Sequence, residues 1–252
     1  MFRSSLAFAA LVGVVLAFTP LLAVHGVESA LALGLLLPPW VAANAASYTV
    51  RSDGVRGIDL IFRATGMGLL IWLIPVLILA LSSLRVRQCA PAEGLAFMVL
   101  GPAIGSALAA CIGVWMGALF RSSRLAPWLA AAIPIGAALF GVWSFYTTPT
   151  VYVFGAFAGY FPGAIYDDLV QIPTRYLTYR ATILVAVLAL GVLFDAIWDP
   201  TAGRLELRNR ARAKLGAIAV TLGALGFVAA SYALGDELGH RVIKEHLIER
   251  LG

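Results

Sequence analysis

Seven runs of about twenty apolar residues, separated by short breaks that carry arginine, constrain this chain more than any other feature. Coiled as a helix, a run of that length matches the ~30 Å hydrocarbon thickness of a bilayer. Hydrocarbon offers no partner to a backbone N–H or C=O, so a single span can satisfy itself only by coiling. Composition points the same way. Of 252 residues, 61% are hydrophobic and 12% charged, against about 25% charged in an average soluble domain. There is too little polar surface to cover a water-facing sphere. The expected fold class is all-α, a polytopic transmembrane helix bundle of about seven spans.

The runs fall at about 5–24, 28–48, 57–84, 92–120, 126–146, 176–198 and 215–234. Met1-Phe2-Arg3 opens like a signal peptide, but Leu22-Ala23-Val24-His25-Gly26 lacks a small-x-small cleavage pattern, so the first run reads as an uncleaved helix. Pro38-Pro39 should kink or locally unwind the second run, and Pro75 and Pro102 interrupt the third and fourth. The stretch 147–174 is different in kind. Its apolar part, Val151 to Ile165, is too short for a comfortable span, and the stretch is dense in aromatics, including Phe154, Phe157, Tyr160, Phe161 and Tyr166. Tyr and Trp favour the headgroup layer, so an interfacial or re-entrant segment is expected between spans 5 and 6. Beyond the bundle, 1–234, residues 235–252 repeat apolar positions (Leu238, Val242, Leu247, Leu251) at helical spacing among charges. That pattern makes an amphipathic C-terminal helix or linker, on the membrane or against a partner.

Sixteen of the eighteen basic residues are Arg, and their placement between runs sets the orientation. Basic residues prefer cytoplasmic loops. A cytoplasmic N-terminus gathers Arg51, Arg56, Arg63, Arg121, Arg124 and the cluster Arg204 to Lys214 on the inner side. Arg85, Arg87, Arg175 and Arg180 vote the other way. Seven spans then place the C-terminus in the periplasm of a bacterial inner membrane. No basic face interleaves with aromatics, so nucleic acid is not an expected partner. The expected partners are the bilayer itself and a periplasmic domain or protein reached through the C-terminal helix. Cys89 and Cys111 lie about 30 Å apart along one helix, too far for a disulfide.

Few residues suggest chemistry. His25 and Glu28 share a helical face at the outer start of the second run. The turn around Pro162 in Gly159-Tyr160-Phe161-Pro162-Gly163 delivers Asp167 and Asp168 to the same side. Together His25, Glu28, Asp167 and Asp168 make a candidate outer-face polar cluster, against the blander reading of boundary residues and a rigid cap. Gly101, Gly105, Ala109, Gly113 and Gly117 recur every fourth position and line a groove where another backbone can approach, which is first of all a packing device. Asp59 and Arg63, four apart, should pair within their helix. Asp195 and Asp199 share a face and could hold a cation, though the basic run after them supplies counter-ions. His240 and His246 are six apart, out of step with a zinc-protease pair. No nucleophile elbow, phosphate loop, dinucleotide fingerprint or Cys-x-x-Cys occurs, so no metal, no cofactor and no catalytic residue is expected.

Three short patterns carry a resemblance: His25-Gly26-Val27-Glu28, Glu93-Gly94-Leu95-Ala96-Phe97 and Phe161-Pro162-Gly163-Ala164-Ile165-Tyr166-Asp167. With them the chain resembles the N-terminal multi-spanning membrane region of large bacterial envelope proteins, some of which continue into a peptidase-MA-like domain. The resemblance covers nearly the whole chain and implies an anchor with an external C-terminal continuation. The zinc-binding motif of that peptidase domain has no match here, so no catalytic residue carries over.

The expected function is therefore a membrane anchor or interaction domain without catalysis of its own. A permease moving a small solute or lipid is the alternative, and a polar cavity reaching the midplane would mark it. An intramembrane enzyme acting on lipid at the outer interface is the second alternative. It would bring Asp167 or Asp168 to His25 or Glu28 beside a lipid-sized groove.

Overall fold

The computed structural model describes residues 2–52, 54–86, 90–147, 153–161, 172–206 and 211–235. Arg87, Cys89, Asp167, Asp168, and all but the first residue of the amphipathic stretch 235–252 lie outside the described residues. Among the described residues seven helices follow in chain order: α1 Phe2–Phe18, α2 Val27–Val50, α3 Gly57–Ser82, α4 Pro91–Phe120, α5 Leu125–Thr147, α6 Thr174–Ile197 and α7 Ala211–Ala233. Two short antiparallel ladders interrupt them, β1 Val153–Gly155 with β2 Gly159–Phe161, and β3 Trp198–Asp199 with β4 Arg204–Leu205. Five helices, α2 to α6, are long and apolar enough to cross a membrane; α1 and α7 are shorter apolar helices. The protein is a membrane-embedded helical bundle.

α2 sits at the centre, against α3, α4 and α5, with α1 laid on α3 and α7 on α6. Its contact with α4 is close because neither helix puts bulk there. A Cβ on Gly113 would overlap the Ala42 carbonyl, and one on Gly117 would come within 2.6 Å of the Ala46 oxygen. Ala42, Ala46 and Ala109 are fully buried. Where lipid is as apolar as leucine, such close packing is what holds two helices together. α2 stays helical through Pro38 and Pro39, with no unwound stretch. Proline opens α4 instead: a π-helical turn, Val99–Ala103, surrounds Pro102. The missing N–H of proline breaks the i→i−4 ladder, and the wider turn absorbs the break. Nearby, Trp72 donates its indole N–H to the Met98 carbonyl at 3.1 Å.

Polar side chains lock the helix ends. At the end carrying the α2–α3, α4–α5 and α6–α7 connections, Asp195 of α6 accepts the Ile58 N–H at 2.7 Å and so caps α3 from another helix. Trp198 donates to the Val55 carbonyl at 2.8 Å, and Arg121 donates to the Gly203 carbonyl. At the opposite end Arg85 donates to the Ala17 carbonyl at 3.0 Å and lies over the Phe18 ring.

Two expected pairings are replaced. Asp59 pairs with Arg56 at 3.0 Å rather than with Arg63, because Arg56 just ahead of the helix reaches back over its first turn. Arg63 lies beside Tyr48 of α2 instead. Asp195 and Asp199 do not converge: the first caps α3, and the second folds onto its own turn, accepting from the Thr201 hydroxyl and N–H at 2.7 and 2.8 Å.

The Thr201 hydroxyl, with the Thr201 and Ala202 amides, holds the Asp199 carboxyl below its ordinary range. A depressed carboxyl stabilises the folded form above its unfolded value, and that contribution is lost as pH falls through the folded value. Protection of the amides in the turn 199–204, measured against their intrinsic exchange rates, should therefore fall on acidification below about pH 4, and Asp199→Ala should lower it already at neutral pH.

The close approach gives a second test. Gly113→Leu should lower the thermal midpoint in detergent strongly, since overpacking costs about 1–3 kcal/mol or more. Gly136→Ala, at an exposed position where a Cβ meets nothing within 4 Å, should leave the midpoint unchanged or raise it, Ala being favoured over Gly in a helix by about 0.5–1 kcal/mol.

Candidate functional site

Of the two placements expected for the segment between the fifth and sixth runs, interfacial or re-entrant, its described part, 153–161, has the inward one: it turns into the bundle. β1 and β2 pair in the register Val153↔Phe161, Phe154↔Tyr160 and Gly155↔Gly159, leaving Ala156, Phe157 and Ala158 as the turn. The turn lies directly on α2 and α4. A Cβ on Gly34 would overlap the Ala158 carbonyl, and one on Gly105 the Phe157 carbonyl. Gly34 is seven residues inside α2, about 10 Å below the helix end at ~1.5 Å per residue. Gly159 closes the hairpin at φ +102°, a conformation that side-chain-bearing residues avoid.

A non-helical turn at that depth exposes carbonyls to a medium that cannot solvate them, so something in the protein must donate to them. Arg180 of α6 does. Its Nη1–H donates to Ala156 O at 2.8 Å and its Nη2–H to Gly155 O at 2.9 Å. The side chain is 1% exposed, the largest fully buried one among the described residues. No described carboxylate pairs with it. Its charge is answered by the two carbonyl dipoles and by the faces of Tyr176 and Tyr179, whose ring centroids lie 5.1 and 5.7 Å from Cζ. Arg180 Nε and the Tyr176 hydroxyl are both buried without a hydrogen-bond partner among the described residues.

An aromatic cluster surrounds this clamp. Phe154 lies 5.4 Å from Tyr176 and 5.5 Å from Tyr179, Tyr160 lies 5.6 Å from Tyr176, and Phe97 stacks on Tyr160 at 6.1 Å. These rings face the interior because the hairpin's register places Phe154 and Tyr160 opposite each other on the α6 side. On the hairpin's other side, between α2 and α5, is a cavity of about 260 Å³. Gly34 and Leu35 of α2, Ala138, Gly141, Val142 and Phe145 of α5, and the hairpin backbone line it.

The residues singled out from sequence fall as follows. His25 donates through Nε2 to the Val76 carbonyl at 3.0 Å and so ties the α1–α2 connection to α3. Glu28 is exposed in the first turn of α2, where a negative charge suits the helix dipole. Asp167 and Asp168, the other half of the proposed polar cluster, lie outside the described residues. Along the stripe on α4, Gly101 and Gly105 face Tyr176 and the hairpin, and Gly113 and Gly117 face α2. One stripe therefore admits two different neighbours. Among the described residues no three His, Cys, Asp or Glu side chains gather to hold a metal.

Sequence reading passed over Arg180 and Tyr176. Arg180 counted only toward orientation, although a charge six residues into an apolar helix is itself a signal that something polar lies opposite. Comparison with known proteins brings no relative to this geometry: no family model matches the chain, and no curated protein or solved structure is similar to it.

Removing the clamp should free the hairpin. Arg180→Met leaves two buried carbonyls without a donor, at roughly 1–3 kcal/mol each. Hydrogen exchange across 153–161 should rise by about two orders of magnitude or more, with exchange in α2 and α4 much less affected. Arg180→Lys should rescue only partly, because an ammonium cannot span two adjacent carbonyls as the planar fork does.

Proposed function

We propose that this chain is the membrane-embedded anchor and interaction domain of a bacterial envelope protein, with its N-terminus in the cytoplasm and its C-terminal helix presented on the periplasmic side. The observation that carries the reading is how the interior is used. α2 and α4 meet backbone to backbone at Gly113 and Gly117. The polar groups around the core serve as struts: Asp195 caps α3, His25 ties to Val76, and Arg180 holds the hairpin. A permease needs a polar path, and the cavity beside the hairpin is lined by backbone and by side chains that, apart from the Tyr146 phenol, are apolar. Orientation is supported by Arg51, Arg56, Arg121, Arg124 and Arg204, which stand at or near the end opposite the hairpin.

The cavity favours lipid over a soluble solute as anything this bundle would handle, which keeps a lipid-moving permease as the second reading.

Topology and transport test the proposal together. Alkaline phosphatase fused after Gly252 should be active and green fluorescent protein fused there should stay dark, each reporting a periplasmic C-terminus. Purified protein in sealed vesicles should take up small ions and metabolites no faster than empty vesicles. A fluorescent C-terminal fusion would overturn the orientation, and saturable uptake would overturn the anchor.

A further inference from the structure

The cavity between α2, α5 and the hairpin has a shape and setting that point to an occupant. Its side-chain walls are aliphatic or aromatic, and glycine and alanine make the space. Gly34 admits the hairpin turn on one side, while a Cβ added to Gly141 on the other side would meet nothing within 4 Å. Protein interiors seldom leave an apolar space of this size empty. A dry cavity of about 150 Å³ already takes up benzene, so the 260 Å³ here has room for a chain of about ten carbons.

What reaches the mouth follows from the fold. The cavity is continuous with the lipid-facing surface of the bundle, through Leu35 and Val142, which are 41% and 55% exposed. Val142 lies five residues before the end of α5, about 8 Å down the helix, beside acyl chains rather than headgroups. Tyr146, one turn further out and exposed, stands at the level where tyrosines meet headgroups. We infer that the space between α2, α5 and the re-entrant hairpin is a binding site for one acyl chain of a bilayer phospholipid, which enters beside Val142 and ends against the hairpin turn. Arg180 acts here as a positioning residue, since it fixes the turn that forms the floor. The site requires only that the bundle be embedded in lipid, whichever face is cytoplasmic and whether or not the domain is an anchor.

A photoactivatable lipid reads the site directly. The full chain would be reconstituted in phosphatidylcholine–phosphatidylglycerol vesicles with a trace of phosphatidylcholine carrying a diazirine at the tenth acyl carbon. After illumination, mass spectrometry would map the adducts. Lipid bathing the bundle labels Leu222 and Phe227, exposed on α7, whereas Ala156 to Ala158 line the cavity. The expected result is strong labelling at both places in the wild type, and in Gly141→Leu a fivefold or greater loss at Ala156 to Ala158 with α7 labelling unchanged. α7 labelling also reports that the variant is inserted and folded. A wild-type hairpin left unlabelled while α7 is labelled overturns the inference with no variant needed. Hairpin labelling that Gly141→Leu leaves unchanged overturns it as well.

Discussion

A peptide carbonyl in hydrocarbon carries the full cost of lost water until a donor reaches it, and none comes from the solvent. Helices meet that demand internally, residue by residue. The hairpin 153–161 does not, since the carbonyls of Gly155 at the end of β1 and Ala156 in the turn take their donors from outside it. The Arg180 guanidinium supplies two donors at once from a neighbouring helix. Its own charge is buried in turn, and the carbonyl dipoles with the faces of Tyr176 and Tyr179 are what make that tolerable. Cation and turn each remove the other's desolvation problem. Every feature of the site, from the aromatic cluster to the cavity, is arranged around that exchange.

Small residues make the exchange geometrically possible. An α4 with leucine at positions 101 and 105 would push the hairpin out toward the membrane surface, and one with leucine at 113 and 117 would push α2 away. The two halves of one stripe thus serve different ends: the first admits a turn and the second admits a helix.

Much of the fold was legible beforehand, for a plain reason. The runs read from sequence coincide with the seven helices to within a few residues at most ends, because a change from apolar to polar residues marks where hydrocarbon ends. Individual polar pairings were far less legible. Asp59 has Arg63 one turn along its own helix, yet pairs with Arg56. Asp195 stands one turn from Asp199, yet its carboxylate meets an amide 137 positions away in α3. The charges on a helix end settle on whichever donor or acceptor the neighbouring end brings near, and local spacing carries no record of that neighbour.

The candidate site shows the same division. Aromatic density and a length too short for a span marked 151–165 as exceptional, and spacing alone revealed the stripe on α4. By itself the sequence determined that the chain must coil into apolar helices, where those helices begin and end, and which helix has a face open to close approach. Those properties follow from the solvent and the local period. Only the tertiary structure decided that the aromatic segment turns inward, that Arg180 receives it, and that a cavity remains beside it. These depend on groups far apart in the chain meeting in one place, and whether a buried polar group is tolerable is a property of that meeting, not of any one residue.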